Sequence, residues 1–171
     1  MSPRAVIIGP PGAGKSTVGA LLADRLGVEF RDVDADIVAA TGRQISEIFT
    51  EDGEPVFREL EETHTATGLH EHAGVLALGG GAVMSERTRA LLAGHPVVFL
   101  KVGVTEGVNR TGLSGARPLL AGVNPRATFK AMLEARLVLY REVAVLEVDT
   151  DERTPAEVAD EILEQIGSLA G

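Results

Sequence analysis

Nine consecutive residues near the start of the chain carry its sharpest chemical signal. Gly9-Pro10-Pro11-Gly12-Ala13-Gly14-Lys15-Ser16 reads G-x-x-x-x-G-K-[ST], and Thr17 follows. Phosphate groups are wrapped by backbone N–H groups, and side chains at the glycine positions would block that approach. A helix opening near Lys15 would add its positive end. Lys15 then reaches the β- and γ-phosphates, and the Ser16 hydroxyl suits Mg²⁺. The apolar run Ala5-Val6-Ile7-Ile8 precedes the loop as a buried strand, and Val18, Leu21, Leu22 and Leu26 follow it at helical spacing. Given those flanks, a chance glycine turn is the weaker reading. The signal predicts a nucleoside triphosphate site and leaves open what happens to the phosphate.

Five further groups of residues could act beside it. Asp32-Val33-Asp34 stands at the end of a predicted second strand, the edge where open α/β sheets place ligands. Residues two apart on a strand face the same way, so both carboxylates are expected in one crevice. One could hold a magnesium water while the other accepts a proton. A calcium loop is excluded, because Ile37 replaces the glycine needed at its sixth position and Arg43 the glutamate at its twelfth. Arg58 and Glu61 share a helix face at i, i+3, a spacing that alone reads as a surface ion pair. Gly79-Gly80-Gly81 would weaken any ordinary element, which points to close backbone approach. Arg136 and Tyr140 share a helix face at i, i+4. Arg117-Pro118-Leu119-Leu120 lies in a stretch, 112–124, with three glycines, Ser114 and little periodicity, expected to be a mobile loop. His64, His70, His72 and His95 form no metal pattern, since His70 and His72 on a helix would point apart.

These residues need a scaffold, and the patterning supplies one. Strand segments are expected near 5–9, 28–30, 75–78, 96–102 and 144–148, with helices near 15–26, 37–40, 45–49, 54–72, 85–93, 104–110 and 127–140. A last helix opens at Thr154-Pro155-Ala156-Glu157, where Thr as N-cap, Pro at the first position and Glu at the third form a capping box. Alternating strands and helices imply one α/β domain with a parallel sheet covered on both faces. At 171 residues the chain fits one domain. Its 25 acidic against 16 basic residues argue against general nucleic-acid binding, though a few arginines in a pocket can still hold a small anion. Cysteine is absent, which removes disulfides, thiolate metal sites and a thiol nucleophile. No apolar run nears the roughly 20 residues of a membrane span, and Met1 leads straight into a strand, so the expected location is cytoplasmic.

Taken together, the loop at 9–17, Asp32-x-Asp34, Phe57-Arg58-x-x-Glu61, Gly79-Gly80-Gly81, Arg117-Pro118-Leu119-Leu120 and Arg136-x-x-x-Tyr140 resemble the shikimate kinase family over essentially the whole chain. The resemblance implies a single three-layer P-loop kinase domain, 1–171, with sheet order 2-3-1-4-5, helices on both faces and a mobile lid at about 112–124. It implies transfer of the ATP γ-phosphate to the 3-hydroxyl of shikimate, by a monomer using Mg²⁺. Asp34 would bind the shikimate hydroxyls and act as or orient the base, with Lys15 and the lid residue Arg117 on the phosphates. Arg58 and Arg136 would pair with the carboxylate, Glu61 would support them, and Gly79, Gly80 and Gly81 would line the acceptor. ATP would lie on Gly12, Ala13, Gly14, Lys15, Ser16 and Thr17, with Arg110 and Pro155 around adenine and Arg153 a further contact. Ser16 and Asp32 would hold the metal. Arg suits the carboxylate because its guanidinium offers a fork that Lys lacks. The family often carries D-x-D-x-x-I-E, but Val38 stands here where that last carboxylate would be, and Asp36 receives no role. The competing readings are another small-metabolite kinase of the same fold, of gluconate type, and a nucleotide-binding module without transfer.

Overall fold

The computed structural model describes residues 2–111 and 124–170. Its first strand, β1 (Ala5–Ile8), is buried along its whole length and runs into the glycine loop and helix α1 (Lys15–Leu26). There follow β2 (Phe30–Asp32), α2 (Val33–Thr41), α3 (Ile45–Asp52), α4 (Glu54–Glu71), β3 (Val75–Ala77), a 3₁₀ turn (Ala82–Met84) and α5 (Glu86–Leu92). The remaining elements are β4 (Val97–Lys101), α6 (Val104–Thr111), α7 (Pro125–Val143), β5 (Leu146–Asp149) and α8 (Pro155–Ala170). The five strands form one parallel sheet in the order β2-β3-β1-β4-β5, with Val6 opposite Leu76 on one side and Val97 on the other.

Strand periodicity divides the core into two layers. Ala5, Ile7, Val98 and Leu100 face α1 and α8, whereas Val6, Ile8, Val97 and Phe99 face Ile37, Ile48, Phe57 and Leu92 of α2 to α5. Helix α7 serves both layers, with Phe129 in the first and Tyr140 in the second. It therefore contributes to the packing on both faces of the sheet.

The elements depart from the sequence expectation at three junctions. Val28 is not in a strand, because its N–H donates to Ala23 O in the closing turn of α1, and β2 begins at Phe30. Helix α2 starts at Val33 rather than Ile37. Helix α7 runs to Val143, and the Ala144 N–H returns to Tyr140 O, which delays β5 to Leu146. The capping box of α8 forms as patterned: Thr154 N–H donates to Glu157 Oε1 and Glu157 N–H to Thr154 Oγ, each at 3.1 Å.

Candidate active site

The glycine loop takes its shape from backbone angles that only glycine adopts freely. Gly12 and Gly14 have φ of 83° and 85°, and a methyl group on Gly12 would lie 2.9 Å from the Thr111 methyl and 3.1 Å from Gly107 O. Gly14 is the N-cap of α1, so the free amides of the first helical turn open toward the loop. Lys15 Nζ is buried and donates to the carbonyls of Gly9 (2.8 Å) and Pro10 (3.0 Å), spanning the loop from within. Ala13 is buried beneath it. Gly12, Gly14, Lys15, Ser16, Thr17, Asp32 and Asp34 line one cavity of about 350 Å³, backed by Ala77 and Leu78 of the β3 edge.

Asp32 and Asp34 meet in that cavity for a reason other than the one expected. They do not share a strand face, because β2 ends at Asp32 and Asp34 lies in the first turn of α2. Asp32 is the N-cap: its Oδ1 accepts the Asp34 N–H at 2.9 Å, and its Oδ2 accepts the Ser16 hydroxyl at 2.6 Å. One carboxylate thus starts the helix and reaches the phosphate loop. Asp36 also has a structural partner, since its Oδ2 accepts from Arg31 Nε at 2.6 Å and clamps α2 onto β2.

On the other side of Asp34 stands the glycine triplet, and each member is closed in by a different neighbour. A Cβ on Gly79 would lie 2.5 Å from Glu61 Oε2 and 2.9 Å from Asp34 Oδ1. One on Gly80 would lie 3.0 Å from Pro11 Cδ of the phosphate loop, and one on Gly81 would strike the Arg58 guanidinium. The three residues are a wall one backbone thick, shared by both carboxylates, the loop and an arginine.

Helix α4 presents a charged pair against this wall. Arg58 Nη1 donates to Glu61 Oε1 at 2.8 Å, and Glu61 is buried. The guanidinium carbon stands 5.3 Å from the Phe57 ring centroid and 5.8 Å from that of Phe49, a cation–π cradle. Burial pushes the Glu61 carboxyl above its ordinary pKa, opposed by the positive charges of Arg58 and Arg136, while Asp34 adds to the rise. Arg136 of α7 is buried and converges on the same group. One turn on, the Tyr140 hydroxyl donates to Gly80 O at 2.6 Å.

The remaining candidates lie across the sheet, at the ends of β4 and β5. Arg110 Nη1 donates to Gly12 O at 2.9 Å and to Thr150 Oγ1 at 3.4 Å, and its guanidinium pairs with Glu106. Arg153 donates to Asp149 O and pairs with Glu161, and Pro155 is the exposed first residue of α8. These three residues form a separate group from the arginines of the glycine wall, with the phosphate loop between them. Arg117 and the rest of the expected lid, apart from Asn124, lie outside the described residues; Asn124 caps α7 through a bond from the Ala127 N–H at 3.1 Å.

Sequence reading missed Phe49 and the role of Pro11. Phe49 lies on a different helix from Arg58, and only its place in an apolar helical turn hints at burial. Pro11 is a variable position of the loop motif, and its contact with Gly80 spans 69 residues of sequence. Among the described residues no cluster of three or more His, Asp or Glu could hold a metal by itself, and no helix is long and apolar enough to cross a membrane. Ser16 and Asp32 nonetheless offer a hydroxyl and a carboxylate oxygen beside the loop. That set suits Mg²⁺, which is commonly held by one or two protein oxygens together with substrate phosphates.

Comparison with known proteins agrees on one family. A family model described as shikimate kinase matches residues 11–167. The chain is 67% identical over 166 residues to the shikimate kinase of Saccharopolyspora erythraea, covering 97% of this chain and 95% of that protein. It is 58% identical to the shikimate kinase of Streptomyces avermitilis, covering 96% and 95%. Among solved structures, shikimate kinase from Acinetobacter baumannii in complex with shikimate superposes with a TM-score of 0.94 at 38% identity, over 99% of this chain and 94% of that one.

Proposed function

This chain belongs to the shikimate kinase family, and from that membership we propose that it transfers the γ-phosphoryl group of ATP to the 3-hydroxyl of shikimate, releasing ADP and 3-phosphoshikimate. The observation that carries this reading is the shared wall at Gly79-Gly80-Gly81. Asp34 and Glu61 both face Gly79, the phosphate loop abuts Gly80 at Pro11, and Arg58 lies against Gly81, with Arg136 close to Glu61. A small anion with several hydroxyls needs forked cations for its carboxylate and a directional acceptor for a hydroxyl, and both are gathered there. Gluconate-type recognition has no comparable support from the neighbours of the two arginines.

In this mechanism Arg58 and Arg136 hold the acid, and Glu61 with the two phenylalanine rings keeps Arg58 aimed. Asp34 takes the proton of the 3-hydroxyl as its oxygen bonds to the γ-phosphorus. The bond from that phosphorus to the β–γ bridging oxygen breaks, and the electron pair leaves with ADP. Lys15 and the amides of the loop and first helical turn stabilise the charge on the transferring group, so catalysis is chiefly alignment and neutralisation. Ser16 and Asp32 would hold Mg²⁺, which when bound supplies positive charge to the phosphate oxygens. Arg110, Arg153 and Pro155 would bind the nucleoside end. The reading comprises one kinase domain, 1–171, acting as a monomer in the cytoplasm.

ADP release measured with ATP and Mg²⁺, with and without shikimate, tests it. A large shikimate-dependent rate, with gluconate inert, is expected. ATP binding without acid-dependent release would make the chain a nucleotide-binding module, and a gluconate-dependent rate would reassign the acceptor.

A further inference from the structure

We propose that Tyr140 is a positioning residue for the acid substrate, its hydroxyl holding the Gly80 peptide in one fixed orientation. The proposal rests on the acceptor-binding role of the glycine wall argued above. Tyr140 is fully buried, and its ring stacks on Phe99 of β4 with centroids 4.9 Å apart and planes at 22°. A phenylalanine would fill that space equally well. The hydroxyl is what a phenylalanine lacks, and it donates to Gly80 O at 2.6 Å, beside the positive charge of Arg136 one helical turn away. Burial raises the phenol to about 12, against the pull of Arg136, so the donor proton stays in place throughout the working pH range.

Geometry makes this contact consequential. The Gly80 carbonyl is buried and 60 residues away in sequence, on the wall that faces the acceptor. Glycine peptides rotate more freely than others, so the triplet relies on its neighbours for its orientation. Pro11 blocks Gly80 on the loop side, and the Tyr140 hydroxyl pins it from the core side. Without that bond the Gly80–Gly81 peptide can turn, which redirects the amide groups facing the acid.

The test is steady-state kinetics of Tyr140→Phe, with wild type as the control for the shikimate reaction itself. The KM for shikimate should rise about tenfold, the scale for losing one buried hydrogen bond, while the KM for ATP stays within about twofold. Replacing Tyr140 with 4-aminophenylalanine returns a donor to the same position and should recover most of the loss. As a packing control, Phe99→Leu should lower the melting temperature without that selective change in KM. An unchanged shikimate KM in Tyr140→Phe, a parallel rise in both KM values, or an equal effect of Phe99→Leu would each overturn the proposal. If Tyr140→Phe fails to fold, a 4-aminophenylalanine protein with weakened shikimate binding refutes it and one with wild-type kinetics supports it. Wild type inert toward shikimate would instead refute the functional reading, and the role of Tyr140 with it.

Discussion

Substituting Gly79 by alanine isolates the spacing of the wall from its chemistry. The new methyl carbon would stand 2.5 Å from Glu61 Oε2 and 2.9 Å from Asp34 Oδ1, where ordinary contact begins near 3.4 Å. The two oxygens must therefore retreat by about 0.9 Å and 0.5 Å, or the Gly79 backbone must back away from them by a similar amount. Glu61 is held by Arg58 at 2.8 Å within a buried setting, so its retreat also turns the guanidinium that is to grip the acid. Overpacking of this kind destabilises by about 1–3 kcal/mol, and a misplacement approaching 1 Å lowers turnover by roughly 100-fold. The phosphate loop is not displaced, so ATP affinity should change little. Coupled ADP-release assays with each substrate varied, beside a nucleotide titration and a melting curve, separate these effects. A Gly79→Ala protein retaining kcat/KM for shikimate within about threefold of wild type would show that the wall tolerates a side chain and that the argument from close approach is wrong.

Three further outcomes follow from the same geometry. Asp34→Asn keeps the shape but not the proton acceptor, so kcat should fall by about 10²–10⁴ with nucleotide binding retained; a variant within tenfold of wild type would remove Asp34 from the base role. Glu61 has a pKa raised in the folded state, so the fold holds that proton more tightly than the unfolded chain does. Its contribution to stability is therefore greatest in acid and is lost as pH rises from about 4.3 through the raised value. Melting curves of wild type and Glu61→Gln should accordingly show wild type losing ground over that window, and a difference independent of pH would contradict the direction. Gly167 is exposed in α8 with open space where a Cβ would sit, so Gly167→Ala should add about 1 kcal/mol by helix propensity with both KM values unaltered, as thermal unfolding would register.

What could be read from sequence depended on how far apart the partners lie. The phosphate loop and the capping box of α8 are local, so their residue types state their own geometry. Asp32 and Asp34 were recognisable as a pair, but the reason for their convergence was mistaken. A strand face was assumed where an N-cap begins a helix, and an aspartate accepting the N–H two residues on is itself a helix-start signal. The lower edges of β2 and β5 were misplaced because the closing turns of α1 and α7 reach past their last periodic apolar residue. For the glycine triplet the need for close approach was evident, yet the neighbours responsible, Glu61 and Arg58 of α4, Asp34 of α2 and Pro11 of the loop, come from three segments. That Arg136 and Tyr140 share a helix face was visible in the spacing, whereas the Gly80 carbonyl that Tyr140 serves was not. Asp36 looked idle because its partner, Arg31, stands on the preceding strand.

Sheet order has a consequence for how such a protein can diversify. Strand β1, which feeds the phosphate loop, is central: β3 and β2 lie on one side of it, β4 and β5 on the other. Everything assigned to the nucleoside end follows β4 or β5, while Asp34 and the glycine wall follow β2 and β3. The division is bridged by α7, which carries Arg136 and packs against α6, after β4, and against the 3₁₀ turn, after β3. Mutations in α2 to α4 can therefore explore new acceptor shapes while leaving the grip on nucleotide intact, whereas changes in α7 are felt in both halves. In an inherited lineage the first group is free to drift toward new chemistry, and the second is the hinge on which old and new chemistry must agree.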